Sequence, residues 1–222
     1  MKEKCAQIAF EMIEDGMIVG LGGGSTVALI IEKLGKSQKK ITVVTPSYDT
    51  YTLCLDNGIV VQDLEITDSI DLTFDGCDEL DYQLNALKSC GGIHTREKIV
   101  ASMSKDYILL ADQEKYKESL AFSYPITIEV LPKAHAYVRK VLKNLGAQIK
   151  DRKSPSKAGL VITDDGNYLL EANFQNVSDL GQLSSELDKI AGLVGHSLFY
   201  QIASKAIIAK QDGVIIEEGK NK

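Results

Sequence analysis

Near the start of the chain, apolar residues recur at helical spacing, at Cys5, Ile8, Ala9, Met12 and Ile13, and Asp15-Gly16 ends the run. The short apolar stretch Met17 to Leu21 then reads as a strand that stops at Gly22-Gly23-Gly24. Ser25-Thr26 offers a cap for the next helix, whose apolar face is Val27, Ile30, Ile31 and Leu34. Ile41 to Val44 reads as a second strand. Tyr48, Tyr51, Thr52 and Leu55 mark a helical face closed by Asn57-Gly58, and Ile59 to Val61 is a strand. Ile70 to Phe74 is another, followed after a glycine-rich loop by a helix near Arg96 to Ser104 and a strand from Tyr107 to Ala111. Strands alternating with helices predict a parallel sheet with helices on its faces.

The pattern changes after Pro125. Ile126 to Leu131 reads as a strand, and Val138, Val141, Leu142 and Leu145 as a helix closed by Gly146. Gln148 to Arg152, Gly159 to Thr163 and Tyr168 to Phe174 look extended, with Asp164-Asp165-Gly166-Asn167 as a hairpin turn. A helix near Leu180 to Ile190 and one extended piece, Leu193 to Phe199, complete a compact α+β unit inserted before the chain returns to its first domain. The expected boundaries are 1–125 plus 200–222 for the first domain and 126–199 for the second. Repeats and low-complexity stretches are absent.

Composition narrows the function. The 222 residues are 44% hydrophobic and 25% charged, enough to bury a core. Lys and Arg number 25 against 31 Asp and Glu, a net charge of −6, which withholds the basic footprint of nucleic-acid binding. No apolar run reaches membrane-spanning length. The opening Met1-Lys2-Glu3-Lys4-Cys5 has no apolar signal region, and four cysteines without Cys-x-x-Cys spacing fit reduced thiols. The expectation is a cytoplasmic protein with neither nucleic acid nor membrane as partner.

Three segments could carry chemistry, and each follows a strand-like run, where ligands bind in parallel α/β sheets. Gly20-Leu21-Gly22-Gly23-Gly24-Ser25-Thr26 lets backbone N–H groups approach an anion at a helix N-terminus; it can equally be a tight turn. It lacks the lysine of a P-loop. Asp75-Gly76-Cys77-Asp78-Glu79 places three carboxylates at a strand end, suited to acid–base work, hydroxyl binding, a divalent metal, or a solvated turn. Lys88-Ser89-Cys90-Gly91-Gly92-Ile93-His94-Thr95-Arg96-Glu97-Lys98 sets a cation, a flexible loop and a carboxylate in order, although Glu97 in a first helical turn also stabilises the dipole. His94 reads as a loop residue rather than a ligand, and no zinc spacing or Gly-x-Ser-x-Gly elbow occurs.

These segments, with Ala111-Asp112-Gln113-Glu114-Lys115, Thr163-Asp164-Asp165-Gly166-Asn167, Gly195 to Phe199 and Asp212-Gly213-Val214, resemble the type A ribose-5-phosphate isomerases nearly end to end. The family patterns are Gly-x-Gly-Thr-Gly-Ser-Thr, Asp-Gly-Ala-Asp-Glu, Lys-Gly-Gly-Gly followed by Arg-Glu-Lys, and Ala-Asp-x-x-Lys. The resemblance implies an α/β fold, a Rossmann-like parallel-sheet domain carrying a smaller ferredoxin-like α+β domain, assembled as a homodimer or homotetramer. It also implies interconversion of ribose 5-phosphate and ribulose 5-phosphate, in the pentose phosphate pathway, without metal or organic cofactor. Glu97 would move a proton between C1 and C2, Asp75 would assist ring opening, and Asp78 and Lys88 would hold hydroxyls and the developing oxyanion. Gly23, Gly24, Ser25, Thr26, Asp75, Gly76, Cys77, Asp78, Lys88, Ser89, Cys90, Gly91 and Lys115 would form the sugar-phosphate site.

The chain departs from these patterns twice: Gly23 stands where the family has threonine, and Ser89-Cys90 where it has two glycines. Two rival readings remain at this point, a sugar-phosphate sensor domain that binds without turnover and an amino-sugar-phosphate deaminase or CoA transferase of related architecture. The dipole should lower the Glu97 pKa and burial raise it again. Of the two thiols in these segments, Cys90 beside Lys88 is expected to be the more reactive, and Cys77 between carboxylates the less.

Overall fold

The structure, a computed structural model, describes residues 2–155, 158–175 and 177–219, and the alternation of helices and strands is present in it. The first half runs α1 (Lys2–Met12), β1 (Ile18–Leu21), α2 (Ser25–Gly35), β2 (Thr42–Val44), α3 (Tyr48–Asp56), β3 (Val60–Val61) and β4 (Ile70–Gly76). Two short strands follow, β5 (Glu79–Asp81) and β6 (Ala86–Leu87), then α4 (His94–Met103), β7 (Ser104–Asp112) and β8 (Tyr116–Lys117). The second half runs β9 (Ile126–Val130), α5 (His135–Asn144), β10 (Gln148–Asp151), β11 (Tyr168–Asn173), α6 (Leu180–Asp188), β12 (Leu193–His196), β13 (Leu198–Phe199), β14 (Lys205–Lys210) and β15 (Gly213–Glu218).

The largest sheet has the order β15-β14-β7-β4-β1-β2-β3. Every pairing in it is parallel except β14 with β15. Strand order reverses at β1, which lies between β2 and β4, so the crevice beyond the carboxyl ends of β1 and β4 is the topological switch point. Period-2 alternation divides the burial. Ile108 and Leu110 of β7 pack with α1 and α2, while Tyr107, Leu109 and Ala111 face a second cluster with Phe199 and Leu80. The apolar stripe of α2 predicted from sequence is buried in the first of these.

Strands β9 to β12 form an antiparallel sheet, order β10-β11-β9-β12, with α5 and α6 in the crossovers. That is the β-α-β-β-α-β order of a ferredoxin-like unit. Its core includes Ile128, Val130, Val138, Leu142, Leu170 and Leu187.

Three expectations are corrected. Residues 159–163 form no strand; they make only isolated bridges, Lys153 with Leu160 and Ile162 with Tyr168, and Gly159 at φ +110° breaks the extended run. The stretch 193–199 is not one strand. Its register shifts between Leu193 and Gly195, and Ser197 separates β12 from β13, which belongs to a third sheet, β13-β6-β5-β8, not foreseen from sequence. At that joint Ser197 N donates to Thr127 O (2.9 Å) and Ser197 O accepts from Lys88 N (3.0 Å). Finally, neither Ser25 nor Thr26 is the N-cap of α2. Gly24 holds that position, at φ 107° and ψ 168°, without a side-chain cap bond. Among the described residues, no helix is long and apolar enough to cross a membrane.

Candidate active site

Strand β1 ends at the glycine loop and β4 ends at Asp75-Gly76, side by side, because Gly22 N donates to Phe74 O (3.0 Å). The closeness is possible because residue 22 is glycine: a Cβ there would lie 1.9 Å from Asp75 Oδ1. Asp75 is buried, and three groups fix its carboxylate. Gly76 N donates to Oδ1 (2.8 Å), Tyr107 OH donates to Oδ2 (3.1 Å), and Lys88 Nζ stands 3.0 Å from Oδ2. Lys88 also lies 3.3 Å from Glu97 Oε1 and donates to Gly76 O. The three segments singled out in the sequence therefore meet, and Lys88 is the ion between two carboxylates.

The electrostatics follow from burial. Glu97 is only 7% exposed, and burial pushes its carboxyl up to about 7; Lys88 opposes that rise and Asp75 adds to it. Burial works against the Lys88 ammonium, but Asp75 and then Glu97 outweigh it, so the lysine holds its proton more tightly than usual. Burial, reinforced by Asp75 and Glu97, keeps Tyr107 a phenol and hence a donor. A buried carboxyl near neutrality beside a fixed cation suits a group that must take and return a proton.

A cavity of about 490 Å³ opens over this cluster, lined by Gly23, Gly24, Asp75, Gly76, Cys77, Asp78, Lys88, Gly91, Glu97 and Lys115. Ser47, Tyr48 and Asp49 line it from α3 and the turn before it, and Asp164 from the predicted hairpin turn. Arg96 carries that turn to α4: its Nη2 is 2.6 Å from Asp165 Oδ1 and its Nη1 3.3 Å from Asp164 Oδ2. Ser25 and Thr26 line an adjoining cavity of about 610 Å³ that shares Gly23, Gly24, Gly76 and Lys115. Because Gly24 caps α2 without a side chain, the cap itself takes up none of the first N–H groups of the helix, the arrangement an anion uses. Lys115 Nζ donates to Cys77 O (2.8 Å), keeping its charge at the junction of both cavities.

Ser89 and Cys90 occupy the loop but line neither cavity. Ser89 Oγ turns to Ser197 Oγ (3.0 Å), which in turn accepts from Thr127 N (2.8 Å). Asp78 Oδ2 accepts from Ser89 N (2.6 Å) and Cys90 N (3.0 Å). Burial and Asp78 push the exposed Cys90 thiol up to about 11, and burial pushes Cys77 up to about 12 against Lys88 and Lys115. The expected activation of Cys90 is thus corrected: Asp78, not Lys88, is the charge that dominates there. His94 is buried rather than a surface loop residue, and burial lowers it to about 3.

Two contributors escaped the sequence reading. Tyr107 looked like an ordinary strand aromatic; only the β4–β7 pairing reveals its bond to Asp75. Lys2, at the start of α1, places its Nζ 2.8 Å from Ser25 Oγ, adding a cation to the glycine loop. Among the described residues, no group of three or more His, Cys, Asp or Glu is arranged to hold a metal ion.

Similarity to known proteins extends over nearly the whole chain. The profile described as ribose 5-phosphate isomerase A (phosphoriboisomerase A) matches residues 42–213, and that of the DeoR C terminal sensor domain matches residues 1–62. A ribose-5-phosphate isomerase A from Pyrococcus abyssi is 38% identical over 219 residues, 96% of each chain. One from a Synechococcus strain is 35% identical over 218 residues, 96% of this chain and 94% of its own. A D-ribose-5-phosphate isomerase solved in complex with phospho-erythronic acid superposes at a TM-score of 0.92, with 34% identity over 98% of this chain and 97% of its own. The enzyme from Methanocaldococcus jannaschii gives 0.91 and 32% over the same shares. On the strength of both sequence and fold, this chain belongs to the ribose 5-phosphate isomerase A family, the aldose–ketose isomerases.

Proposed function

We propose that this chain interconverts ribose 5-phosphate and ribulose 5-phosphate through an enediolate, with Glu97 as the base. The observation that carries the reading is the buried contact of Glu97 with Lys88, 3.3 Å apart, in a cavity at the switch point. In the open-chain aldose, Glu97 removes the C2 proton and the electron pair moves to the carbonyl oxygen, which becomes the oxyanion. Returning the proton to C1, with transfer of a proton from O2 to O1, gives the ketose. A positioned base is worth roughly 10²–10⁴ in rate, and a preorganised donor at the oxyanion a few kcal/mol more. Lys88, whose proton is held tightly, is suited to the second part. Asp75 assists ring opening, and Asp78 binds sugar hydroxyls.

The phosphate belongs at the glycine loop, against the α2 N-terminus, with Lys115 beside it and Lys2 at Ser25. The sensor-domain reading explains only the first 62 residues, which contain the glycine loop and none of Asp75, Lys88 and Glu97. A cytoplasmic homodimer or homotetramer acting in the pentose phosphate pathway completes the proposal. Ribulose 5-phosphate formation from ribose 5-phosphate in EDTA tests it directly. Binding without turnover would sink the catalytic reading and leave the sensor one.

A further inference from the structure

We propose that Arg152, from the antiparallel sheet, is a positioning residue that sets the backbone of the Lys88–Gly91 loop for the reaction. Just beyond β10, its guanidinium reaches this loop with three of its nitrogens engaged. Nη2 donates to Ser89 O (2.8 Å) and Thr127 Oγ1 (2.9 Å), Nη1 to Cys90 O (3.3 Å), and Nε to Glu171 Oε1 (3.1 Å). Thr127 Oγ1 donates to the same Ser89 O at 2.8 Å. On the other side of the loop, Asp78 Oδ2 takes the N–H groups of Ser89 and Cys90.

The loop peptides are therefore held by opposite charges on opposite sides, the cation on the carbonyls and the carboxylate on the N–H groups. Peptide planarity then dictates the next unit. The described chain has no cis peptide, so the N–H of Gly91 points opposite to the Cys90 carbonyl that Arg152 holds. Arg152 pulls that carbonyl toward β10 and so turns the Gly91 N–H toward the side where Asp78 lies. Asp78, Gly91 and Glu97 line the same cavity. Gly92 fits the same constraint: at φ +74°, a Cβ there would come within 3.3 Å of Arg152 Nη1 and 2.8 Å of Leu169 Cδ1. The guanidinium fork suits two carbonyls, a hydroxyl and a carboxylate at once, whereas an ammonium is a single point.

The inference rests on the proposed reaction at Glu97 and Lys88, so four variants are measured together. Arg152→Ala should lower kcat by ~10–10²-fold while KM changes less than about threefold, since loop peptides displaced by a fraction of an ångström serve the transition state poorly. Added guanidinium should restore part of the kcat of Arg152→Ala and none of that of Glu97→Gln. Arg152→Lys should remain impaired. Glu171→Gln, which weakens the anchor of the guanidinium at a half-exposed position, should show a smaller loss of kcat and serves if Arg152→Ala does not fold. A lower melting temperature with kcat kept within threefold in these variants, and no guanidinium rescue, would overturn the proposal. Full activity in Glu97→Gln would instead overturn the reading of the reaction.

Discussion

Gly22 and Asp75 occupy space that only a residue without a side chain can share, since a Cβ on Gly22 would sit 1.9 Å from Asp75 Oδ1. The carboxylate cannot swing aside freely, because Gly76 N, Tyr107 OH and Lys88 Nζ all hold it. Gly22→Ala should therefore displace Asp75 and, through it, Lys88. We expect a fall in kcat of ~10²-fold from the misplaced groups and a loss of about 1–3 kcal/mol from overpacking. Steady-state kinetics and thermal melts check both; wild-type kcat would show that the two segments separate at little cost.

Glu97 supplies a prediction in pH. Its carboxyl is raised from 4.5 to about 7 on folding, chiefly by burial, so the folded protein keeps a proton that the unfolded chain has released. The stabilisation this gives is complete below about 4.5 and disappears as pH rises through about 7. The stability of the native protein relative to Glu97→Gln should fall across that window, as read from paired melts that cancel the other titrating groups. Activity should do the reverse, with kcat/KM rising through an apparent pKa near 7 as the base ionises. Glu97→Gln should lose at least ~10²-fold in turnover. A flat stability difference, or turnover retained within a few-fold, would remove Glu97 from the role of base.

At Gly23 the family hydroxyl can be restored. A Cβ there meets only Ser47 Oγ, at 3.8 Å, so a side chain has room. Gly23→Thr should tighten sugar-phosphate binding by about 0.5–1.5 kcal/mol, the net worth of one hydrogen bond. Calorimetry with a non-reacting pentitol phosphate measures it. Unchanged binding in a protein that melts normally would place the phosphate elsewhere than this loop, and weaker binding would mean that the loop has rebuilt its geometry.

Much of this was legible in the sequence, for a local reason. Asp75 ends a strand and Glu97 follows a glycine loop, and a parallel sheet brings strand ends together without any knowledge of side-chain contacts, whereas Lys88 reaches them from β6 of the third sheet. The amphipathic pattern of α2 fixed which of its faces was buried. What remained hidden depends on distant partners. Tyr107 meets Asp75 only through the register of β4 and β7, and Arg152 meets Ser89 only once the two sheets abut. β5, β6, β8 and β13 are two or three residues long, too short to show a period. The stretch 193–199 looked continuous because both strands within it are apolar, and the change of sheet lies in the single residue Ser197.

The thiols give the last prediction, in which the structure reverses the order suggested by neighbouring charges in sequence. Lys88 precedes Cys90 by two residues, yet its ammonium points to Asp75 and Glu97 and away from that thiol. Asp78 is the charge beside Cys90, and with burial it pushes the thiol up to about 11. Exposure alone does not make a cysteine reactive, because the thiolate is the nucleophile. At pH 7 the scarcity of thiolate outweighs the greater nucleophilicity of a high-pKa sulfur, so alkylation of Cys90 should run on the order of tenfold slower than that of a free cysteine. Cys77, buried and pushed up to about 12, should not react in the folded protein at all. Iodoacetamide at neutral pH should therefore leave activity intact over the time in which it consumes free cysteine. Rapid inactivation that substrate prevents and Cys90→Ala abolishes would show instead that the loop opens to a state in which Asp78 releases the Ser89 and Cys90 N–H groups and the thiolate forms.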